Sequence, residues 1–316
     1  MNATTSKIVL QSRDLAVLSS LGEHGLLDTD MIHERYFSMV SRRRCLQRLA
    51  SYQSQGITKA VHLQVWNGAA SKKAPVIHLL SERGSEILES LTGTQPKRVS
   101  RGDPRPETIH HRLQIIRTKL IMDDACLKHG LTPPLWILEQ DRNPAASDRL
   151  PPSQRRLLYH SFPAPPQPST CQPDAACRLK VPHDIAKPAA GMTDLIGFFE
   201  IDCSTEGRKQ VAGKLPGYAR LLAEKVYRRY FADCEKAVVR VFWVCRSWER
   251  VENLCERIER DPVASYFRFT SASDLSAATA LTSPIWHGVD GKRREILRLP
   301  SVPLSTPSSQ GHHDHR

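Results

Sequence analysis

The chain carries Gln172-Pro173-Asp174-Ala175 and, further on, Gly197-Phe198-Phe199-Glu200-Ile201-Asp202. In both stretches, acidic residues border an apolar run of the kind that forms a buried strand. Because strand side chains alternate between the two faces of a sheet, Glu200 and Asp202 should point the same way. If the strand that follows Asp174 pairs nearby, three carboxylates converge at one edge. Mg²⁺ and Mn²⁺ prefer such oxygen ligands, so we predict a metal site formed by Asp174, Glu200 and Asp202.

Each acid also has an ordinary structural interpretation. Glu200 could be a surface residue or an ion-pair partner at the end of a strand. Asp174 follows a proline and could simply begin a turn. Asp202 could cap the loop before Thr205. The metal site therefore depends on all three acids meeting, which the sequence predicts but does not establish.

The order of predicted elements around these acids is helix, three strands, helix and strand. The helices are expected at 107–129 and 210–230, and the strands at 135–138, 175–179, 195–201 and 237–244. This α-β-β-β-α-β order resembles the restriction-endonuclease-like, or PD-(D/E)xK, nuclease fold. The resemblance implies that Asp174, Glu200 and a lysine two positions after Glu200 are catalytic and bind Mg²⁺ or Mn²⁺.

Position 202 is the departure from that pattern, because Asp202 stands where the family has lysine. We expect Lys214, early in the following helix, to aim its ammonium at the end of the strand instead. Lys209 is a less favoured substitute. The predicted catalytic set is therefore Asp174, Glu200, Asp202 and Lys214.

The segment before residue 94 has a different pattern, with three helices, a hairpin and a fourth helix. Ser12 and Thr29 are the expected N-caps of the first two helices, and Ser41 precedes the third. The third helix, Arg42 to Tyr52, has an apolar stripe with arginines facing outward, and Asn67-Gly68 predicts a hairpin turn. This order predicts a winged helix-turn-helix with a recognition helix at 42–52 and a wing tip at 67–73.

Charge indicates what this segment would bind. The formal net charge is +12, and no Asp or Glu occurs from Arg35 to Ser81. A one-signed segment of this length is typical of a phosphate-binding surface, so we expect double-stranded DNA as a partner. The arginines could also be ordinary solvent-exposed residues, and helix-turn-helix modules also bind proteins. The expected DNA-contacting residues are Arg42, Arg43, Arg44, Arg48, Lys59, Lys72 and Lys73.

The predicted domain organisation is a winged helix at 1–93, a linker at 94–106 and a nuclease-like domain at 107–300. A proline-rich insertion is expected at 143–170, and a disordered tail at 301–316. The eight cysteines include no C-x-x-C pair, which favours reduced thiols over zinc ligands or disulfides. No secretory signal and no membrane span are evident, so we expect a soluble, cytoplasmic protein.

Several residues, in order and spacing, resemble the plasmid replication-relaxation family. They include the arginine-rich third helix, His111-Arg112-Leu113-Gln114-Ile115, Pro173-Asp174-Ala175, Phe199-Glu200-Ile201-Asp202, Lys214-Leu215 and Tyr218. The resemblance implies a bacterial, mobile-element setting, with relaxase or replication proteins as further partners.

Three functions follow from these patterns. The first is a DNA-binding accessory protein of plasmid or mobile-element replication and relaxation, with a nuclease-like domain that can bind a divalent metal. The second is an active Mg²⁺- or Mn²⁺-dependent endonuclease that nicks DNA. The third is a transcriptional regulator whose second domain is not catalytic, for which the meeting of Asp174, Glu200 and Asp202 would have no purpose.

Overall fold

The computed structural model describes residues 9–62, 75–98, 106–163, 168–182, 191–203, 207–234 and 236–297. Within them the chain has a mixed α/β fold of the α+β class and divides into two compact units, residues 1–120 and 121–316. The division falls inside the helix Pro106–Lys128. The reason is that the first half of this helix contributes to the core of the first unit, through Ile109, Leu113, Ile116 and Leu120.

The first unit contains four helices and a three-stranded antiparallel sheet in the order β1-β3-β2, followed by the start of α5. Its elements are α1 (Ser12–His24), β1 (Leu27–Asp28), α2 (Thr29–Tyr36), α3 (Arg42–Ser54), β2 (Thr58–His62), β3 (Val76–Leu80), α4 (Glu82–Thr92) and α5 (Pro106–Lys128). The predicted wing tip at 67–73, with Lys72 and Lys73, lies outside the described residues, as does the predicted tail at 301–316.

The helix caps of the first unit correct two predictions. Ser41 caps α3, and its Oγ accepts a hydrogen bond from the Arg44 amide. Gln11 and Asp28 cap α1 and α2, so Ser12 and Thr29 are the first helical residues and not the caps. Asp28 Oδ1 accepts the Met31 amide at 2.7 Å, and an aspartate there also complements the helix dipole.

The second unit is built on a seven-stranded sheet in the order β12-β11-β10-β9-β8-β7-β4. Strands β7 and β8 pair antiparallel, while β8, β9 and β10 run parallel to one another. The sheet strands are β4 (Leu135–Leu138), β7 (Ala175–Pro182), β8 (Met192–Asp202), β9 (Ala237–Cys245), β10 (Phe267–Ser271), β11 (Trp286–His287) and β12 (Arg293–Arg294).

Two helices of the second unit cover one face of this sheet. They are α6 (Arg208–Ala223) and α7 (Trp248–Ile258). Their apolar residues share one core with the sheet residues that point the same way, among them Phe198, Trp243 and Phe267. The sequence predicted that α6 would continue to Tyr230, but it ends at Ala223. Lys225 has a positive φ of 49°, and a short 3₁₀ helix follows it.

The proline-rich insertion contains more regular structure than the sequence indicated. Strands β5 (His160–Phe162) and β6 (Ser169–Cys171) form a two-stranded antiparallel sheet within it. Strand β6 lies against α6, where a Cβ atom added to Gly217 would be 2.1 Å from the Thr170 carbonyl oxygen. A glycine at this position therefore lets α6 approach β6 closely. None of the described helices combines the length and the apolar character that a membrane span requires.

Candidate functional site

Asp174 is attached to β8 by both its backbone and its side chain. Its amide donates to the Phe199 carbonyl oxygen at 3.0 Å, and its Oδ2 accepts a hydrogen bond from the Ile201 amide at 2.7 Å. The β7–β8 register pairs Ala175 with Phe199, which sets Asp174 beside Glu200. The two acids that the sequence placed on neighbouring strands are thus adjacent.

Glu200 is buried beneath α6, with 2% of its surface exposed. Lys214 Nζ lies 2.6 Å from its Oε2, and the Tyr218 hydroxyl donates to its Oε1 at 2.5 Å. Lys214 and Tyr218 are four residues apart, so they lie on the same side of α6. Both carboxylate oxygens of Glu200 are therefore held by one helix.

The environment of Glu200 changes its acidity. Burial raises its pKa to about 7, and the nearby charge of Asp174 acts in the same direction, whereas Lys214 and the Tyr218 hydroxyl oppose the rise. Burial, reinforced by the Glu200 charge, raises the pKa of Tyr218 well above its usual range. Glu200 can therefore gain or lose a proton near neutral pH, as a general acid or base must.

The pH dependence of folding should reveal this raised pKa. The folded state holds the Glu200 proton more tightly than the unfolded state, so its contribution to stability is complete below about pH 4.5 and lost as pH rises to about 7. We expect a cost of at most about 3 kcal/mol across that range. Urea unfolding at pH 5 and pH 8 should show a smaller stability difference for Glu200→Gln than for the unmodified protein. If the stability difference between pH 5 and pH 8 is the same in Glu200→Gln and in the unmodified protein, the raised pKa does not belong to Glu200. A similar reduction of that difference in the exposed control Glu224→Gln would also contradict the assignment to Glu200.

Asp202 is held by a different helix. Arg250, in the first turn of α7, donates from Nε to Asp202 Oδ2 at 2.5 Å, and the Asp202 side chain is fully buried. Residues two apart on a strand are separated by about 6.6 Å, and here the two acids turn toward α6 and α7. Among the described residues, Asp174, Glu200 and Asp202 do not form a group whose ligand atoms all lie within 4.8 Å of one another. The structure thus brings Asp174 and Glu200 together and places Asp202 in an ion pair.

Glu139 is a carboxylate to which the sequence gave no role. It directly follows β4, and its amide donates to the Asp174 carbonyl oxygen at 2.7 Å. One carboxylate oxygen of each residue lies within 4.8 Å of the other. Two such oxygens suit a hard divalent cation, so Asp174 and Glu139 fit Mg²⁺ or Mn²⁺ better than the predicted trio does. Glu200 is not part of this pair, and its two oxygens accept hydrogen bonds from Lys214 and Tyr218.

Two of the three missed residues, Tyr218 and Glu139, left partial signals in the sequence. Tyr218 follows Lys214 by four positions, the spacing of neighbours on one helix face. Glu139 directly follows a short apolar strand, and Glu200 lies near the end of another, so the two acids have similar positions in the sequence pattern. Arg250 left no comparable signal, since α6, a 3₁₀ helix and β9 separate it from Asp202 in the chain.

The predicted DNA-contacting residues fall into three groups. Arg42, Arg43 and Arg44, in the first turn of α3, and Lys59, on β2, are exposed. Arg42 forms an exposed ion pair with Asp30. The structure describes no position for Lys72 and Lys73.

Arg48 is the exception, because it points into the first unit. It donates to the carboxylate of buried Asp14 and to the Val9 carbonyl oxygen. Burial acts to raise the pKa of Asp14, but hydrogen bonds from Arg48, the Gln11 amide and Tyr52 outweigh it and leave the pKa below its usual value. Arg48 therefore neutralises an internal charge.

Comparison with known proteins gives one result. A search of curated proteins and a search of solved structures found no match. The family model described as replication-relaxation matches residues 18–232, well over half of the chain. The matched segment includes α3 of the first unit and Asp174, Glu200 and Lys214 of the second. The chain therefore belongs to the replication-relaxation family, which supports a role in the replication or relaxation of plasmid or mobile-element DNA.

Proposed function

We propose that this protein is a DNA-binding accessory protein of plasmid or mobile-element replication or relaxation. Its first unit acts as a winged helix-turn-helix on duplex DNA, with α3 as the recognition helix. Its second unit acts as a nuclease-like domain with a divalent-metal site. Relaxase or replication proteins of the same element are the expected protein partners.

The observation that carries the DNA-binding proposal is the charge at the start of α3. Arg42, Arg43 and Arg44 occupy its first turn, which contains no acidic residue. Cations near a helix N-terminus oppose the helix dipole, and each costs about 0.3 to 1 kcal/mol. Helix stability therefore gives no reason for three exposed arginines at this position, whereas binding of DNA phosphates does.

The surrounding elements support α3 as the DNA-contacting helix. Helix α2 precedes it, and the antiparallel pair β2 and β3 follows it. In helix-turn-helix proteins the second helix of the motif lies in the major groove and its N-terminal residues reach the bases. The ion pair of Arg42 with Asp30 is exposed, so it contributes little stability and can be exchanged for a phosphate contact.

The metal proposal for the second unit rests on Asp174 and its neighbours. Asp174 and Glu139 supply oxygen donors, Glu200 lies beside Asp174, and Lys214 contributes an ammonium. Strands β4, β7, β8 and β9 are successive neighbours in the sheet, which supports a nuclease-like core. A bound Mg²⁺ would stabilise negative charge on a phosphate group held there.

An active nicking endonuclease is the second candidate function. Glu200 favours it, since its pKa of about 7 suits proton transfer, and its neighbour Lys214 would take the place of the family's strand lysine. In this role Glu200 would accept a proton from the attacking water, and Lys214 would position that water and the scissile phosphate. Because Asp202 pairs with Arg250, the acids that could bind a metal or transfer a proton in this role are Asp174, Glu139 and Glu200. A purely regulatory role would offer no reason for the adjacency of Asp174 and Glu200.

DNA binding can be tested by fluorescence anisotropy with labelled duplex DNA at increasing NaCl concentrations. If the first unit binds phosphates, the logarithm of the association constant should fall linearly with the logarithm of salt concentration. Absence of binding at low salt, or affinity that does not change with salt, would refute the proposal.

Nicking can be tested separately by incubating the protein with supercoiled plasmid and Mg²⁺ or Mn²⁺. If the protein is a nickase, we expect open-circle product that disappears in Asp174→Ala and Glu200→Ala but persists in the exposed control Glu224→Ala. Nicking that persists in Asp174→Ala and Glu200→Ala would contradict a catalytic role for these acids. If neither Mg²⁺ nor Mn²⁺ supports nicking by the unmodified protein, the nickase function is refuted and the accessory role remains.

A further inference from the structure

Three arginines lie together on the sheet face opposite α6 and α7. Val241 and Trp243 of β9 point into the core beneath those helices, so the alternation of side chains turns Arg240 to the other face. Arg268 of β10 lies on that face by the same alternation, between Phe267 and Phe269, which are both fully buried. Together with Arg294 of β12, these residues line a cavity of about 230 Å³, which we name the arginine pocket.

Two of these guanidinium groups have only backbone partners among the described residues. Arg240 donates to the Val239 carbonyl oxygen at 2.7 Å, and Arg268 donates to those of Ser265 and Phe267 at 3.0 and 2.6 Å. In the part of the chain that the structure describes, neither forms an ion pair with a carboxylate. Their charges are therefore half-buried without a neutralising partner.

The remaining charged groups around the pocket do not remove this excess. Arg294 binds Asp290 through two hydrogen bonds, at 2.9 and 2.5 Å, and Glu295 also lines the pocket. Burial, together with the charges of Arg240 and Arg294, lowers the pKa of Arg268 to about 10, while the charge of Asp290 opposes this shift. Three arginines and two acids thus surround the pocket, and one of the acids, Asp290, is already bonded to Arg294.

We propose that the arginine pocket binds a phosphate group. Guanidinium groups form paired, charge-assisted hydrogen bonds with phosphate oxygens, and a bound dianion would offset the repulsion between Arg240 and Arg268. Pockets that bind drug-sized ligands have volumes of about 300 to 1,000 Å³. The arginine pocket, at about 230 Å³, is smaller and suits a small anion. The phosphate could belong to a nucleoside monophosphate or to a nucleic-acid backbone. The pocket lies on the sheet face opposite Glu200 and contains no residue of α3, so it does not depend on the proposed function.

Isothermal titration calorimetry of the full chain at constant ionic strength tests the proposal. The probes are inorganic phosphate, thymidine 5′-monophosphate, thymidine, and a short thymidine oligonucleotide without terminal phosphate. We expect phosphate and the monophosphate to bind and thymidine not to bind. Displacement of phosphate by the oligonucleotide would identify a backbone diester as the source, and displacement by the monophosphate alone would identify a monoester. Either result supports a phosphate site.

The variants assign the binding to the pocket. Arg268→Met keeps the length of the side chain, removes its charge and should weaken phosphate binding at least about tenfold. Arg240→Met should do the same and serves as a second variant if the first does not fold. Arg293→Met is the matched control, because Arg293 is the neighbour of Arg294 on β12 and points to the other face. Equal loss in the control, no phosphate binding by the unmodified protein, or thymidine binding as tight as that of its monophosphate would overturn the proposal.

Discussion

Reversal of Arg43 and Arg44 to glutamate should lower the affinity for duplex DNA by about 100-fold at low salt. Both side chains are exposed at the start of α3, and within the described residues neither forms an ion pair. Each phosphate contact that is lost should also reduce the slope of the salt dependence by about one unit. Arg42→Glu should add to the loss, but less, because Arg42 already pairs with Asp30.

Unfolding would not explain such a loss, because the substitution favours the helix. Glutamate in the first turn of a helix interacts well with the dipole, so each reversal should stabilise α3 by about 0.3 to 1 kcal/mol. The variant should therefore melt at the same temperature as the unmodified protein or slightly higher. Anisotropy titrations and thermal melts of the same preparations would separate DNA affinity from stability.

The control must match the change in charge. Arg149→Glu with Arg246→Glu also replaces two exposed arginines, and in both double variants the formal net charge falls by four, from +12 to +8. If the loss reflects contacts at α3, the control should retain most of its affinity. Equal losses in both variants would show that only net charge matters, and unchanged binding in the α3 variant would place the DNA surface elsewhere.

The sequence predicted the meeting of Asp174 and Glu200 correctly because local rules determine it. Two apolar runs that follow one another in the chain can pair as antiparallel strands, and alternation then fixes which side chains share a face. Lys214 was placed near Glu200 by the simple expectation that a helix packed on a strand points its first turns at the strand end. In the structure, its Nζ lies 2.6 Å from Glu200 Oε2.

The partners of Asp202 and Arg48 could not be predicted in the same way. Arg250 is 48 positions from Asp202, and Arg48 is 34 positions from Asp14. Such pairs depend on how α7 and α1 pack in three dimensions, and no periodicity or spacing rule reports that. Because Arg48 follows Arg44 by about one helical turn on the same side of α3, the sequence groups it with the DNA-contacting arginines. In the structure its guanidinium instead reaches the carboxylate of Asp14.

Arg250 offers the sharpest distinction between a structural and a metal-binding role for Asp202. The Asp202 side chain is fully buried, and Arg250 is 14% exposed. Removal of one partner from a buried ion pair costs about 3 to 5 kcal/mol, since the remaining charge loses its compensation. We expect Arg250→Met to destabilise the protein by about 3 kcal/mol in urea unfolding, and Arg246→Met, at a nearby exposed arginine, to change stability by less than about 0.5 kcal/mol.

A double-mutant cycle with added Mg²⁺ completes this test. If Asp202 serves the ion pair, Asp202→Asn with Arg250→Met should cost at least about 1 kcal/mol less than the sum of the single variants. Mg²⁺ should then stabilise Arg250→Met no more than the unmodified protein. If Asp202 is instead able to bind a metal once Arg250 is removed, Mg²⁺ should stabilise Arg250→Met more than it stabilises the unmodified protein. Adding Asp202→Asn to Arg250→Met should abolish that increase. Asp174 and Glu139 remain intact in every variant, so a stabilisation by Mg²⁺ that all variants share would come from these two acids. Only a difference in Mg²⁺ stabilisation between the variants reports on Asp202.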